Sequence, residues 1–161
     1  MNNSRQKVVI AGGGTAGWIV AAFLSKLLKN AVDVHLIEST SIPTIGVGEA
    51  TIPPIKQFNH RLGLDENEFL SRCNGSIKLG IEFENWSQLG AKYMHPFGNF
   101  GASFDFLPFR YYYLKAKLEG DKRDIQDFSI AWHLATRNKF IQPERDKTSL
   151  ASNFDYAYHF D

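Results

Sequence analysis

The sequence contains a single cysteine, Cys73, so it forms no intramolecular disulfide and no cysteine-based zinc site. It also lacks an excess of either charge, with 18 basic side chains against 17 acidic ones and a formal net charge of +1. Nucleic-acid-binding proteins usually carry a clear basic excess, which argues against that class of partner. Long hydrophobic runs are missing. The longest near the N-terminus, Trp18 to Leu24, falls far short of the roughly 18–20 residues that span a bilayer. It follows a glycine cluster and has no signal-type cleavage site, so neither a membrane span nor a secretory leader is expected. There is no internal repeat and no low-complexity tract. His60, His133 and His159 share no metal-ligand spacing, His35 falls within a strand pattern, and no metal is expected. What remains is a chain of 161 residues, 43% of them hydrophobic. That is the size and composition of one soluble domain, expected in the cytoplasm.

Aromatic residues are scarce in the first half. Residues 1–80 hold four of the 22, Trp18, Phe23, Phe58 and Phe69, and the other 18 lie in residues 81–161. Such bulky apolar surface must be covered. Either the second half packs on the first, or something outside this chain covers it.

The apolar, β-branched run Lys7–Ala11 predicts a buried strand. From Ala16 to Leu28 the spacing of Ile19, Val20, Phe23, Leu24, Leu27 and Leu28 predicts a helix, with Asn30 as its stop. Val32–Ile37 predicts a second strand, and the sum is a βαβ unit with parallel strands. Residues 39–54, rich in Thr, Gly and Pro, read as an ordered functional loop or a loose connection. Ile55–Leu62 predicts a helix with prolines in its first turn. Asp65 is placed to cap another helix through Leu70, with Glu68 as its capping-box partner. Ile77, Leu79, Ile81 and Phe83 alternate with polar residues and glycine, predicting one strand through Glu84. Asp127–Phe140 predicts a helix with Ile130 and Leu134 inward. Tyr111–Tyr113 and Trp132 are expected to pack in the core, and Cys73 is expected to be a reduced structural thiol.

Gly12-Gly13-Gly14-Thr15-Ala16-Gly17 satisfies G-x-G-x-x-G between a predicted strand and a predicted helix. Glu38 ends the next strand 21 positions beyond Gly17, near the spacing of about 20 expected of a ribose-binding carboxylate. Gly12 permits the tight turn, Gly14 lets the backbone approach a pyrophosphate, and Gly17 lets helix and strand pack closely. The free N–H groups of Thr15 and Ala16 then face the anion at the helix N-terminus. Ser39 and Thr40 follow Glu38 with no arginine for a 2′-phosphate, which disfavours NADP. The fingerprint alone leaves NAD and FAD both open.

Three blocks narrow the choice: Gly-Gly-Gly-Thr-Ala-Gly-Trp at 12–18, Gly-Val-Gly-Glu-Ala-Thr-Ile-Pro at 46–53, and Lys-Leu-Gly-Ile-Glu-Phe-Glu-Asn-Trp at 78–86. Together with His95-Pro-Phe-Gly98 and Tyr156-Ala-Tyr-His-Phe-Asp161, in this order from about residue 7 to residue 161, the chain resembles the flavin-dependent tryptophan halogenases. The resemblance implies an α/β fold. A Rossmann-like FAD-binding βαβ unit spans about residues 7–38, a strap residues 39–54, and a substrate-side region about residues 75–161. The whole is incomplete relative to the full flavin monooxygenase-like fold. It further implies reduced FAD with oxygen and a halide as co-substrates, tryptophan or another electron-rich aromatic as substrate, and a separate flavin reductase as partner. Self-association through exposed aromatics is a further expectation.

In that family hypohalous acid travels from the flavin to a separate pocket, where a lysine directs electrophilic halogenation; Lys78 matches it. Gly12, Gly14, Thr15, Ala16, Gly17 and Glu38, with Gly48, Glu49, Ala50 and Thr51 of the strap, match cofactor contacts. Ile52, Pro53, His95 and Phe97 match the substrate side, His95 and Phe97 resembling residues that stack on the indole. The residues themselves agree with the lysine's role. Lys78 stands on the polar face of a half-apolar strand, where partial desolvation favours a neutral, nucleophilic amine. Outside such a context, a lysine there reads as a side chain snorkelling from a sheet edge. The family's tryptophan-rich motif and catalytic glutamate match nothing in these residues, so the chain is expected to be the N-terminal part of a longer enzyme. The alternatives are a truncated, inactive flavin- or nucleotide-binding module, or an NAD-dependent oxidoreductase fragment.

Overall fold

The computed structural model describes residues 5–43, 47–143 and 153–160. The expected βαβ unit is present. Strand β1 (Gln6–Ala11) pairs in parallel with β2 (Val32–Ile37), Val8 opposite Val34 and Ile10 opposite Leu36. Helix α1 (Thr15–Leu28) joins them through a 3₁₀ turn at Lys29–Ala31. A strap containing the two-residue strand β3 (Glu49–Ala50) leads to α2 (Pro54–Leu62) and α3 (Glu66–Arg72). Pro53 and Pro54 open α2, where missing N–H groups cost nothing, and Gly63 at φ 76° closes it in the left-handed conformation. The Asp65 carboxylate caps α3 by accepting from the Glu68 N–H at 2.9 Å. The Glu68 side chain pairs with Arg72 at 2.7 Å.

The alternation over residues 77–84 predicts one strand, and the structure corrects this to two. β4 (Ser76–Lys78) and β5 (Gly80–Glu84) belong to different sheets. Leu79 between them is buried, and Gly80 is pressed so tightly against Met94 and the His95 carbonyl that no side chain fits. A one-residue link preserves the period of two, so alternation carries no sign of the break. β5 pairs with β6 (Lys92–Pro96), while β4 joins β3 and β7 (Ala157–Phe160) in the order β3-β7-β4, all antiparallel.

The helix predicted over Asp127–Phe140 is shorter. Asp124 and Asp127 close a capping box around a 3₁₀ turn at Ile125–Phe128, and the Ser129 hydroxyl then starts a new helix by accepting from the Trp132 N–H. That helix, α5 (Ile130–Thr136), presents Ile130, Ala131 and Leu134 inward, as expected. Tyr111–Tyr113 lie on α4 (Phe109–Leu118), which buries no residue fully. Tyr111 and Tyr112 are exposed, contrary to the core packing expected of them. Tyr113 packs against Phe109 and Phe128, and the Tyr112 ring meets Phe104 edge-on.

The core is not in the nucleotide unit. It gathers Leu79, Ala131, Phe154, Tyr156 and Tyr158, with Phe69, Ile77 and Leu134 around them. In β1, α1 and β2 only Ala21 is buried. No described helix is long and apolar enough to cross a membrane.

Candidate functional site

The glycine loop has the geometry its sequence demands. Gly12 sits at φ 119°, a conformation closed to ordinary side chains, and its N–H donates to the Ile37 carbonyl at 2.8 Å, tying the loop to the end of β2. A Cβ on Gly17 would collide with the Gly12 carbonyl, so this glycine sets the close approach of α1 to β1. A Cβ on Gly14 would meet nothing within 4 Å. Gly14 is the N-cap of α1 and supplies no side-chain cap, and the first turn has no acidic residue. The first-turn N–H groups thus have no side-chain cap, and the helix dipole there favours an anion such as a phosphate. Glu38 lies against Gly13, where any side chain would displace it. The donor set and the open space over Gly14 therefore fit a dinucleotide.

The strap connects this loop to the lysine. The Thr15 hydroxyl donates to the Glu49 carboxylate at 3.1 Å, fastening the strap to the start of α1. Two residues later the strap is fastened again. The Thr51 N–H donates to the Tyr158 carbonyl at 2.9 Å, and the Thr51 hydroxyl also donates to that carbonyl at 2.8 Å. The same hydroxyl accepts from the Tyr158 N–H at 3.0 Å. Lys78, half-buried at the end of β4, donates from Nζ to the Thr51 carbonyl at 3.1 Å. Its Nζ also lies 5.5 Å from the centre of the buried Phe97 ring, within cation–π range. Phe97 is held at both ends of its peptide: its N–H donates to Leu79 O at 2.8 Å and its carbonyl accepts from the Asp155 N–H at 2.5 Å.

Lys78, Thr51 and Phe97 thus meet, as do Thr15 with Glu49 and Glu38 with Gly13. His95, on β6 opposite Ile81, is exposed and does not share the Lys78–Phe97 contact. Ile52 is exposed and accepts from Ile55 N, while Pro53 caps α2. Gly48 and Ala50 lie along the strap, exposed, and Gly46 lies outside the described residues. A cavity of about 330 Å³ opens between α1, the strap and α2, lined by Ile19, Ala50, Thr51, Ile52, Ile55 and Phe58.

Sequence reasoning missed a polar cluster built on β7. Both Tyr156 and Tyr158 donate their hydroxyls to Glu66, at 2.8 and 3.0 Å. Burial, then the Glu66 hydrogen bond, push the Tyr158 hydroxyl's pKa above the ordinary phenol range. Lys56, buried on α2, pairs with Asp155 and lies over the Tyr156 ring at 3.7 Å. The period-two repeat of Tyr156, Tyr158 and Phe160 was the signal for a strand here.

A parallel βαβ unit with a glycine-rich turn is thus joined by a strap to a half-buried lysine beside an aromatic ring, the arrangement of an α/β protein of the Rossmann-like class. The chain belongs to the tryptophan halogenase family, whose sequence profile matches residues 7–161. It is 36% identical to tryptophan 6-halogenase ThaL of Streptomyces albogriseolus, an alignment covering 100% of this chain and 33% of that protein. It is 33% identical to tryptophan 7-halogenase RebH of Lentzea aerocolonigenes, covering 100% and 32%. Among solved structures, BrvH, a flavin-dependent halogenase from Brevundimonas sp. BAL3, superposes with a TM-score of 0.86 at 37% identity, covering 99% of this chain and 31% of that one. The chain therefore spans about a third of the length of the curated relatives it matches.

Proposed function

We propose that these residues form the N-terminal part of an enzyme that halogenates tryptophan or a related electron-rich aromatic with reduced FAD, oxygen and a halide. The observation that carries this reading is the strap. Within two residues it is bonded to the helix that opens the phosphate cradle, through Glu49, and to Lys78, through Thr51. A cofactor site and a separate amine are thereby held at a fixed offset.

Gly12, Gly14, Thr15, Ala16 and Gly17 would hold the pyrophosphate of FAD, Glu38 its ribose, and Gly48, Glu49 and Ala50 would border it along the strap. When bound, reduced FAD supplies the electrons with which oxygen and halide give an electrophilic halogen. Lys78 keeps one N–H on Thr51 and has two others to donate to that oxidant. The Phe97 ring packs beside the amine and excludes water from one side. Ile52, Pro53, His95 and Phe97 border the aromatic substrate. A separate flavin reductase provides the reduced cofactor, and the enzyme works in the cytoplasm.

The test is an assay of the full-length protein with reduced FAD, oxygen, chloride or bromide, and tryptophan, read by mass spectrometry. A halogenated product is expected. Calorimetric titration separates the cofactors: FAD should bind and NAD should not, and binding of NAD alone would overturn the reading.

A further inference from the structure

We infer that Thr51 is a positioning residue for Lys78. Its hydroxyl and amide lock the end of the strap onto Tyr158, and its carbonyl then fixes where the Lys78 ammonium sits. The inference rests on the reading of Lys78 as the reactive amine, but its geometry is independent of it.

Three hydrogen bonds of 2.8–3.0 Å join Thr51 to the backbone of one residue, Tyr158. Strand β3 is only two residues long, and the prolines at 53 and 54 have no N–H with which to prolong its ladder. The threonine side chain takes over where the ladder stops, satisfying both backbone groups of Tyr158. That anchor is itself held. Tyr158 is 1% exposed, its ring packs on Phe69, and its hydroxyl is bonded to Glu66.

In the order β3-β7-β4, Lys78 and Thr51 flank β7 on opposite sides, about 10 Å apart at the strand spacing of about 4.8 Å. Lys78 lies opposite Ala157 in the register, a fully buried residue small enough to leave the amine a path across the strand. The Thr51 carbonyl receives that amine at 3.1 Å. A strap free to move at Thr51 would carry this acceptor with it, and a long lysine side chain has no other hydrogen-bond partner among the described residues to hold it. The family resemblance places Thr51 among the cofactor contacts; its hydroxyl both donates to and accepts from the Tyr158 backbone.

The experiment is amine labelling of Lys78 in the full chain by acetic anhydride across pH, read by peptide mass spectrometry, with exposed Lys115 as reference. Thr51→Val keeps the shape and removes the hydroxyl. It is expected to raise the Lys78 rate several-fold relative to Lys115, and Thr51→Ser, which restores the hydroxyl, to return it to within about twofold of wild type. Lys56, buried against Asp155, should stay at its wild-type rate in both. An unchanged Lys78 rate in Thr51→Val, no rescue by serine, or an equal rise at Lys56 would overturn the inference, the last because it signals general loosening.

Hydrogen exchange of the wild-type chain gives a second test that needs no variant. The Thr51 and Tyr158 amides should exchange together and slowly. A Thr51 amide exchanging as fast as that of Gly48 would overturn the lock. Halogenation by full-length Thr51→Val is the separate arm: kcat, measured at saturating FAD, should fall. A labelling change without a kcat change would show that Thr51 holds the amine without positioning it for reaction, and would overturn the inference; the reactive role of Lys78 itself is read separately from Lys78→Ala.

Discussion

A methyl group on Gly17 would strike the Gly12 carbonyl, whereas one on Gly14 would enter open space. The two substitutions should therefore separate folding from binding. Gly17→Ala is expected to cost about 1–3 kcal/mol of stability through overpacking, seen as a lower urea midpoint. Gly14→Ala should leave that midpoint nearly unchanged and weaken FAD binding by about tenfold, roughly 1.4 kcal/mol. Equal FAD affinity in Gly14→Ala and wild type would refute the cradle.

Tyr158 makes a further prediction at this scale. Its folded pKa is raised above the unfolded value of about 10, so the unfolded state loses this proton first as pH rises. The stability it contributes is fully present below pH ~10 and is lost above it. Tyr158→Phe should show a shallower decline in thermal stability over that alkaline window, and a slope identical to wild type would contradict the assignment. The glycines were legible in the sequence because their constraints are local, a positive φ and a near approach. The Thr51–Tyr158 bond joins residues 107 positions apart, and nothing in either neighbourhood announces the other.

Elements followed their local signals where one stretch of chain decided them. The βαβ unit, α2 and the Asp65 cap came from hydrophobic period, paired prolines and a short capping side chain. The misread elements were those in which a single residue changes the chain's course. Leu79 and Gly80 move it from one sheet to another without disturbing the alternation, and Ser129 ends the 3₁₀ turn and starts α5 by capping it. Ser129 is 1% exposed. Its replacement by alanine should cost about 1 kcal/mol, measured as a shift in chemical denaturation. No loss of stability would mean that α5 starts without that cap.

At the scale of the molecule, the βαβ unit leaves large apolar side chains uncovered. Val9 and Ile37 on the βαβ sheet are each 60% exposed, and Trp18 on α1 is 54% exposed. A two-stranded parallel sheet with its faces open is not a finished layer, because parallel sheets are stable when covered on both sides. The scarcity of aromatics in the first half and their crowding in the second hinted at this imbalance. They could not show that the core would gather around β4, β7 and α5 and leave the nucleotide unit bare. The 161 residues alone are expected to bind a hydrophobic dye and to associate with rising concentration in sedimentation velocity. A dye-free monomer at all concentrations would show that these apolar faces are covered.

The proposed function places a flavin cradle and, across the strap, the amine that delivers halogen in one chain. Its most direct test is Lys78→Ala in the full-length protein, assayed for halogenated tryptophan alongside an FAD titration. Loss of product with FAD affinity within about twofold of wild type is the expected result. Halogenation at the wild-type rate would show that Lys78 is not that amine.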